Sequence, residues 1–262
     1  DDNYMQVRLY TKEQRNTYLD EITYIDGLGR PMQIVKKGIT PSGNDLVGYQ
    51  EYDEFGRESQ NWLPVYLQGN NGAFVPLKKI ANNVISTVYS DDQKPFTKTV
   101  YEVSPLNRIL EQYSPGQDWH DNKKAVRTAY KTNVSENLLL NCILYKAGGT
   151  NRAPVLSSSG NYATGLLYVT EVKDEDNNTS YEFKDKMGRI VLTRQMNGSE
   201  TLDTYYVYND YGNLCFVLPP LISTEGTGQA KLDLLAYQYK YDHRNRCIWK
   251  KLPGCEPCLL YT

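Results

Sequence analysis

The chain has 262 residues, with 29 Lys and Arg against 31 Asp and Glu, a formal charge of −2. That balance offers no chain-wide basic surface for nucleic acid, and no apolar run approaches the roughly 20 residues that a membrane-spanning helix needs. Only two His (His120, His243) leave little material for His-based catalysis or His-rich metal sites, whereas 23 Tyr against 5 Phe and 3 Trp favour a pleated, half-buried β surface.

The opening DDNYMQVRLY carries no basic region followed by an apolar core, so no signal peptide is read there. A first short motif, DGLGR at 26–30, precedes PMQIVKK (31–37). VGYQEY (47–52) leads into DEFGR at 53–57. After an insertion over about 64–96, TKTVYEV (97–103) leads into SPLNR at 104–108 and then RILEQY (108–113). A long insertion covers about 116–170. Within it DNKKAVRTAYK (121–131) is predicted as a short helix and KAGGTNRAPVLSSSGN (146–161) as an exposed loop. LLYVTEV (166–172) and SYEF (180–183) flank an acidic stretch, DEDNNTS. DKMGR at 185–189 runs into RIVLTRQ (189–195), and TYYVY (204–208) into NDYGN at 209–213. A third insertion, about 221–235, contains KLDLLAY (231–237), predicted as a short helix. AYQYKY (236–241), DHRNR at 242–246 and CIWKKL (247–252) close the series.

The six motifs share one physical requirement. Their first position is Asp26, Asp53, Ser104, Asp185, Asn209 or Asp242, and their fourth is Gly29, Gly56, Asn107, Gly188, Gly212 or Asn245. Asp, Asn and Ser start type I turns by accepting backbone N–H bonds from residues ahead of them. Gly and Asn enter the left-handed backbone region at low cost. A type I turn closed by a left-handed residue is a hairpin connection with a bulge. Pro105 in SPLNR fits, because its fixed φ suits the second turn position. The flanking runs alternate polar and apolar residues at period two, as strands with one buried face do. Pro64, Pro115, Pro220 and Pro253 each lie eleven residues after a first turn position, where they are expected to end the outgoing strand. The spacings between motifs are irregular, which indicates hairpins with insertions rather than an exact solenoid.

Five stretches in order, YIDGLGRPMQIV, YDEFGRESQNWLPV, YEFKDKMGRIVLTRQ, VYNDYGNLCFVLPP and YKYDHRNRCIWKKLPG, give the chain its family likeness. It resembles an RHS/YD-repeat protein, in particular the N-terminal part of the repeat region in Bacteroidetes members. The resemblance implies an all-β fold of antiparallel YD-repeat hairpins in a curved, twisted sheet, a segment of an RHS-type shell, with long loops and at most short helices. It implies one continuous repeat region over 1–262, with a possible subdivision near 117, cut from a longer protein. It implies a secreted or cell-surface location and a structural role, helping to enclose or present a C-terminal, toxin-like effector. The partners are then further repeats and that effector in the same polypeptide.

Several sharper chemistries are weighed against this reading. The tip carboxylates do not make a glycosidase pair, which needs two carboxyls roughly 5–10 Å apart with one pKa raised; Ser104 and Asn209 stand where sister units have Asp. Arg30, Arg57, Arg108, Arg189 and Arg246 are expected to pair with tip acids rather than form an anion site, with Arg57 tying one repeat to the next. DEDNNTS sets Asp174, Asp176 and Asn178 at the first, third and fifth positions of a calcium loop but lacks its central Gly, so an acidic hairpin tip is preferred. Tyr49, Trp62, Tyr66, Trp119 and Trp249 offer the alternative of a carbohydrate- or protein-binding surface, against cross-strand packing. Cys255 and Cys258 have half of a zinc-knuckle spacing with no second pair. The expectation is no enzyme, no cofactor and no metal.

Overall fold

The computed structural model describes residues 3–11, 18–83, 89, 92–225 and 228–260. Parts of two expected insertions (84–88, 90–91 and 226–227) and Thr262 lie outside them. The architecture is all-β, about half strand (51%) with 9% helix, in open antiparallel sheet. The chain divides into two compact units, Asp1–Arg127 and Thr128–Thr262.

The first unit holds β1 (Asn3–Tyr10), β2 (Tyr18–Ile25), β3 (Pro31–Lys37), β4 (Asp45–Tyr52), β5 (Glu58–Leu67), α1 (Leu77–Asn83), β6 (Phe96–Tyr101), β7 (Ile109–Tyr113) and α2 (Gln117–Asp121). β8 (Ala125–Thr132) runs through the unit boundary. Each strand pairs with its sequence neighbour, β1 through β8. Alternation decides which face is covered: Ile22 and Tyr24 of β2, Val35 of β3, Val47 of β4 and Val65 and Leu67 of β5 are buried, and Val75 and Ile80 lie over them. Burial of each such aliphatic side chain contributes about 1.5–3 kcal/mol.

Polar groups pin that cover. Buried Gln33 donates to the Val75 carbonyl at 2.7 Å and accepts from the Val75 N–H at 2.9 Å, so it imitates a strand neighbour. Asp45 accepts from the N–H groups of Gly38 (2.8 Å) and Gly72 (2.6 Å), and the Tyr24 hydroxyl donates to the Gly72 carbonyl at 2.7 Å. Gly72 has φ +81°, and a Cβ there would sit 2.4 Å from Ile22 Cδ1. The insertion after Pro64 is thus a lid with a defined seat.

The second unit continues with β9 (Ile143–Thr150), β10 (Ala153–Asn161), β11 (Tyr168–Lys173), β12 (Thr179–Lys184), β13 (Ile190–Asn197), β14 (Glu200–Tyr208), β15 (Leu214–Leu218), α3 (Pro220–Glu225), α4 (Gln229–Leu235), β16 (Tyr237–Tyr241), β17 (Cys247–Lys251) and β18 (Cys258–Leu259). β11 to β18 pair in chain order, while β9 and β10 form a separate hairpin. Leu167, Phe183, Leu192, Val207 and Leu218 make the core, packed with Ile222 and Leu232 of the two helices. Arg194 is buried inside this unit. It donates to Asp203 Oδ1 and Oδ2 at 2.7 and 2.6 Å and to the carbonyls of Leu138 and Leu139. A bidentate, fully bonded pair of this kind recovers the large cost of burying its charges.

Three expectations need correction. The 121–131 stretch is not a helix: helix α2 ends at Asp121, and residues from Ala125 form β8. The β-branched and aromatic content of AVRTAYKT prevailed over its basic, helix-compatible start. The 146–161 stretch is not an exposed loop but the β9–β10 hairpin, whose turn residues had hidden two strands. Pro64 does not end its strand, since β5 continues to Leu67. It lies in a bulge, where the register steps from Val47↔Val65 to Tyr49↔Trp62, and beyond the pairing with β6, which runs from Gln60 to Trp62. A missing N–H is tolerated there. Pro115, Pro220 and Pro253 do follow strand ends at Tyr113, Leu218 and Lys251.

Candidate functional site

The repeated tips are where charged and aromatic side chains collect. At tip 53–57 the Asp53 N–H donates to the Arg57 carbonyl at 2.9 Å and the Gly56 N–H to the Asp53 carbonyl at 2.9 Å. Asp53 Oδ1 accepts the N–H groups of Phe55 (2.9 Å) and Arg57 (2.8 Å), and Oδ2 accepts Arg57 Nε at 2.6 Å. Tips 26–30, 185–189 and 242–246 repeat all of these bonds. The fourth position needs positive φ: +81° at Gly29, +82° at Gly56, +79° at Gly188 and +80° at Gly212, with Asn107 at +53° and Asn245 at +59°. The strand register shifts just before each of the six tips, a bulge that accompanies this turn.

A seventh tip has the same wiring. Asp174 accepts from the N–H groups of Asp176 and Asn178 at 3.0 and 2.8 Å, and Asn177 takes φ +67°. DEDNN is therefore a hairpin tip between β11 and β12, with Asn178 at position five, as Asn213 is at tip 209–213, where the other five tips carry Arg.

Tip 104–108 departs from the pattern. There the Glu102 N–H donates to the Arg108 carbonyl, so the loop is two residues longer. Ser104 caps the turn, its hydroxyl accepting from the Leu106 N–H at 3.2 Å, but the acid that grips Arg108 is Glu102, at 2.8 and 2.6 Å. Ser104 cannot supply a carboxylate, and its neighbour two residues back does.

Within each compact unit, neighbouring hairpins are joined by a second set of contacts, absent from the turn alone. Tyr52, Tyr101, Tyr208 and Tyr241 each precede the acid or amide that opens their tip. Each hydroxyl donates to the carbonyl that follows position five of the preceding tip: Tyr52 to Pro31 (2.7 Å), Tyr101 to Glu58 (3.1 Å), Tyr208 to Ile190 (3.0 Å) and Tyr241 to Leu214 (2.8 Å). Where position five is Arg, its guanidinium lies over that same ring, Arg30 on Tyr52 at 4.2 Å, Arg57 on Tyr101 at 4.5 Å and Arg189 on Tyr208 at 4.9 Å. Arg57 Nη1 also reaches the Glu102 carbonyl at 3.1 Å. A Cβ on Gly56 would meet Arg30 Nη1 at 2.5 Å, so this Gly serves both its own turn and its neighbour's Arg. The Tyr excess and the recurring Tyr–Asp pair were the sequence signal for this coupling; the hydroxyl's target was not readable from either.

Asn213 is too short to stack on Tyr241, and another residue fills the gap. Asn151, at the turn of the β9–β10 hairpin, accepts from Asn209 Nδ2 at 3.0 Å and donates to Asn245 Oδ1 at 3.3 Å, while Asn213 Nδ2 donates to the same Oδ1 at 2.9 Å. The Tyr241 N–H donates to the Asn151 carbonyl at 2.9 Å. A ladder of amides thus replaces the Arg–Tyr stack. Asn151 and Tyr241 border an open pocket of about 530 Å³ with Arg152, Tyr211, Asp242 and His243.

The electrostatics follow from the wiring. The N–H and guanidinium of Arg30 hold Asp26 below the ordinary carboxylate range. Burial pushes Asp53 and Asp185 up, but the N–H and guanidinium of Arg57 and Arg189 outweigh it, and both end lower than usual. The Arg246 N–H and side chain take Asp242 to about 2, and the Arg108 guanidinium takes Glu102 to about 2. The candidate aromatic surface is only partly exposed. Trp62 is buried, packs at a tilt against Phe96 with ring centroids 4.8 Å apart and donates to Glu51 at 2.6 Å, so it is no sugar platform. Trp249 lies under Lys240, whereas Tyr66 and Trp119 are exposed. Burial pushes the Cys142 thiol up to about 12 and that of Cys215 to about 11, so both are protonated, inert core groups. Among the described residues no cluster of His, Cys, Asp and Glu is placed to hold a metal, and no helix is long and apolar enough to cross a membrane.

Fold and tips together define a class: open antiparallel sheet of repeated hairpins, four of whose tips are tied by a Tyr hydroxyl to the hairpin before. Residues 3–132 match the model of a family described as a domain of unknown function (DUF6443). No curated protein matches the chain. Two solved structures share the fold. One is a crystal structure of TcdB2-TccC3-Cdc42, at TM-score 0.58 and 15% identity over 92% of this chain. The other is a Photorhabdus luminescens Tc holotoxin pore with a substituted TccC3, at TM-score 0.59 and 14% identity over 98%. The chain spans 11% of the length of each matched chain.

Proposed function

We propose that the chain is a structural, non-enzymatic segment from the N-terminal part of the repeat region of an RHS/YD-repeat protein of the Bacteroidetes type. Its hairpins contribute wall to a shell that encloses or presents a C-terminal effector, in a protein that is secreted or at the cell surface. The observation that carries this reading is the coupling between successive tips. Asp26, Asp53, Asp185 and Asp242 are each filled by two backbone N–H groups and an Arg, and each of four tip Tyr hydroxyls is spent on the preceding hairpin. Groups so engaged are wall-building groups. A glycosidase acid needs a raised pKa, whereas the tip carboxylates are shifted downward. The fold likeness to parts of Tc toxin structures agrees with a shell. The alternative of an aromatic binding surface loses Trp62 to the core and keeps Tyr66 and Trp119.

The test is the double variant Asp53→Asn, Asp185→Asn in the longest polypeptide that contains this chain. Reduced stability with an unchanged protease-resistant envelope around downstream sequence is expected. Loss of a defined catalytic activity in a well-folded double variant would refute the structural reading. A glycan array hit removed by Trp119→Ala would replace it with the binding surface.

A further inference from the structure

We propose that the pocket between the β9–β10 turn and tips 209–213 and 242–246 binds an anionic sugar, a hydroxylated ring of monosaccharide size that carries a carboxylate or a phosphate. All three bordering segments belong to the second compact unit. At about 530 Å³ the space exceeds an inorganic ion. It falls within the roughly 300–1,000 Å³ typical of small-molecule sites.

The lining divides into a bonded floor and an unbonded rim. Asn151, Tyr241 and Asp242 are buried or half-buried. Asn151 is tied to Asn209 and Asn245, and the Tyr241 hydroxyl to the Leu214 carbonyl. Asp242 is filled by the N–H groups of Arg244 and Arg246 and by Arg246 Nε. These groups fix the floor. Thr150, Arg152, Tyr211 and His243 line the same space and are exposed. Among the described residues none of their side chains donates a hydrogen bond, and Arg152 and His243 have no ion pair. In the same unit Arg189, Arg194 and Arg246 are each held by an Asp. The pairing of Thr150 with Ala153 leaves Asn151 and Arg152 as the two turn residues, so one anchors the hairpin and the other borders the pocket.

The unbonded groups define the ligand. Arg246 lies 2.7 Å from Asp242 and balances its charge, which leaves the Arg152 cation in excess. A guanidinium presents a planar fork that matches two oxygens of a carboxylate or a phosphate. Tyr211, 71% exposed, offers a ring face to the C–H side of a sugar. The Thr150 and Tyr211 hydroxyls and the His243 imidazole are partners for ring hydroxyls. The inference does not rest on the shell reading, and its residues are separate from Tyr66 and Trp119.

Calorimetric titration of the 262-residue chain with glucuronate, glucose-6-phosphate, glucose and inorganic phosphate tests it. At least one of the two anionic sugars is expected to bind about ten-fold or more tightly than glucose and than phosphate, as one charge-assisted contact implies. Which of the two binds names the source of the charge. Arg152→Gln is expected to weaken that binding by about ten-fold or more without moving the thermal midpoint, since Arg152 has no bond to lose. Arg244→Gln, at an exposed Arg of tip 242–246 outside the lining, is expected to leave the affinity unchanged. Three results overturn the proposal: no binding of either anionic sugar, phosphate bound as tightly as they are (an adventitious ion only), or an affinity that survives Arg152→Gln or falls equally with Arg244→Gln.

Discussion

Tips 53–57 and 209–213 solve the same problem with different chemistry. Each must fix its hairpin to the next one, and each offers a carbonyl to the next Tyr hydroxyl. At the first, Arg57 spans the gap itself, bonded to Asp53 and stacked on Tyr101. At the second, position five is Asn213, and an inserted hairpin brings Asn151 to complete the joint. The lesson is that the repeat conserves a junction, not a residue. Where the Arg is lost, an insertion is free to dock, and the insertion's own amide takes over the bond.

The largest effect separating the two regions lies below the tips. Arg194→Ala leaves Asp203 buried without its partner and empties two carbonyl contacts, a loss of about 3–5 kcal/mol for a broken buried pair. Urea denaturation should then show the second unit unfolding ahead of the first. Equal loss in both units, or a loss below about 1 kcal/mol, would mean the pair does not anchor the 138–139 segment to the second unit's sheet. The tip pairs, being part-exposed, should cost far less when cut.

Next in size are the tip glycines. Gly56→Ala and Gly188→Ala each force a non-Gly residue to φ near +80°, a strain of about 1 kcal/mol or more. Only at Gly56 does the new Cβ also strike a neighbour's guanidinium, since nothing lies within 4 Å at Gly188. Gly56→Ala should therefore be the more destabilising by thermal melting, and Arg30→Ala should remove the difference. The amide ladder ranks below this. Asn151→Ala should cost about 1–2 kcal/mol for two or three bonds, and Asn213→Arg in that background should restore part of it by stacking on Tyr241.

Acid stability gives the smallest and most diffuse signal. Asp242 and Glu102, held at about 2, bind no proton in the folded chain until well below the pH at which the unfolded chain takes one up, near 4. Their contribution is therefore fully present above about pH 4 and is lost as pH falls toward 2. Denaturant midpoints followed from pH 5 to 2 should drop, with Asp242→Asn flattening part of the slope.

Much of the tip was legible because turn chemistry is local. Asp, Asn or Ser first and Gly or Asn fourth are dictated by backbone geometry within five residues, so reading residues in order is enough. The seventh tip at 174–178 was legible for the same reason. What escaped was non-local. Glu102 replaces the carboxylate of Ser104 from outside the motif, Asn151 arrives from about sixty residues before Asn213, and Pro64 is excused by a bulge whose existence depends on β4. The β9–β10 hairpin was hidden by Gly, Ser and Asn residues that signal loops on their own, yet tolerate a ladder once a partner strand is beside them. Arg57 kept a claim beyond its own turn in the sequence, and its position over Tyr101 shows where that claim is exercised.

The central claim is that tip residues act between repeats. A double-mutant cycle of Arg57→Gln and Tyr101→Leu measures this by equilibrium unfolding. The account predicts a coupling of about 0.5–1 kcal/mol, the size of a part-exposed cation–ring contact. Additivity of the two changes within about 0.3 kcal/mol would contradict it, returning Arg57 to its own turn and leaving the hairpins joined by strand pairing alone.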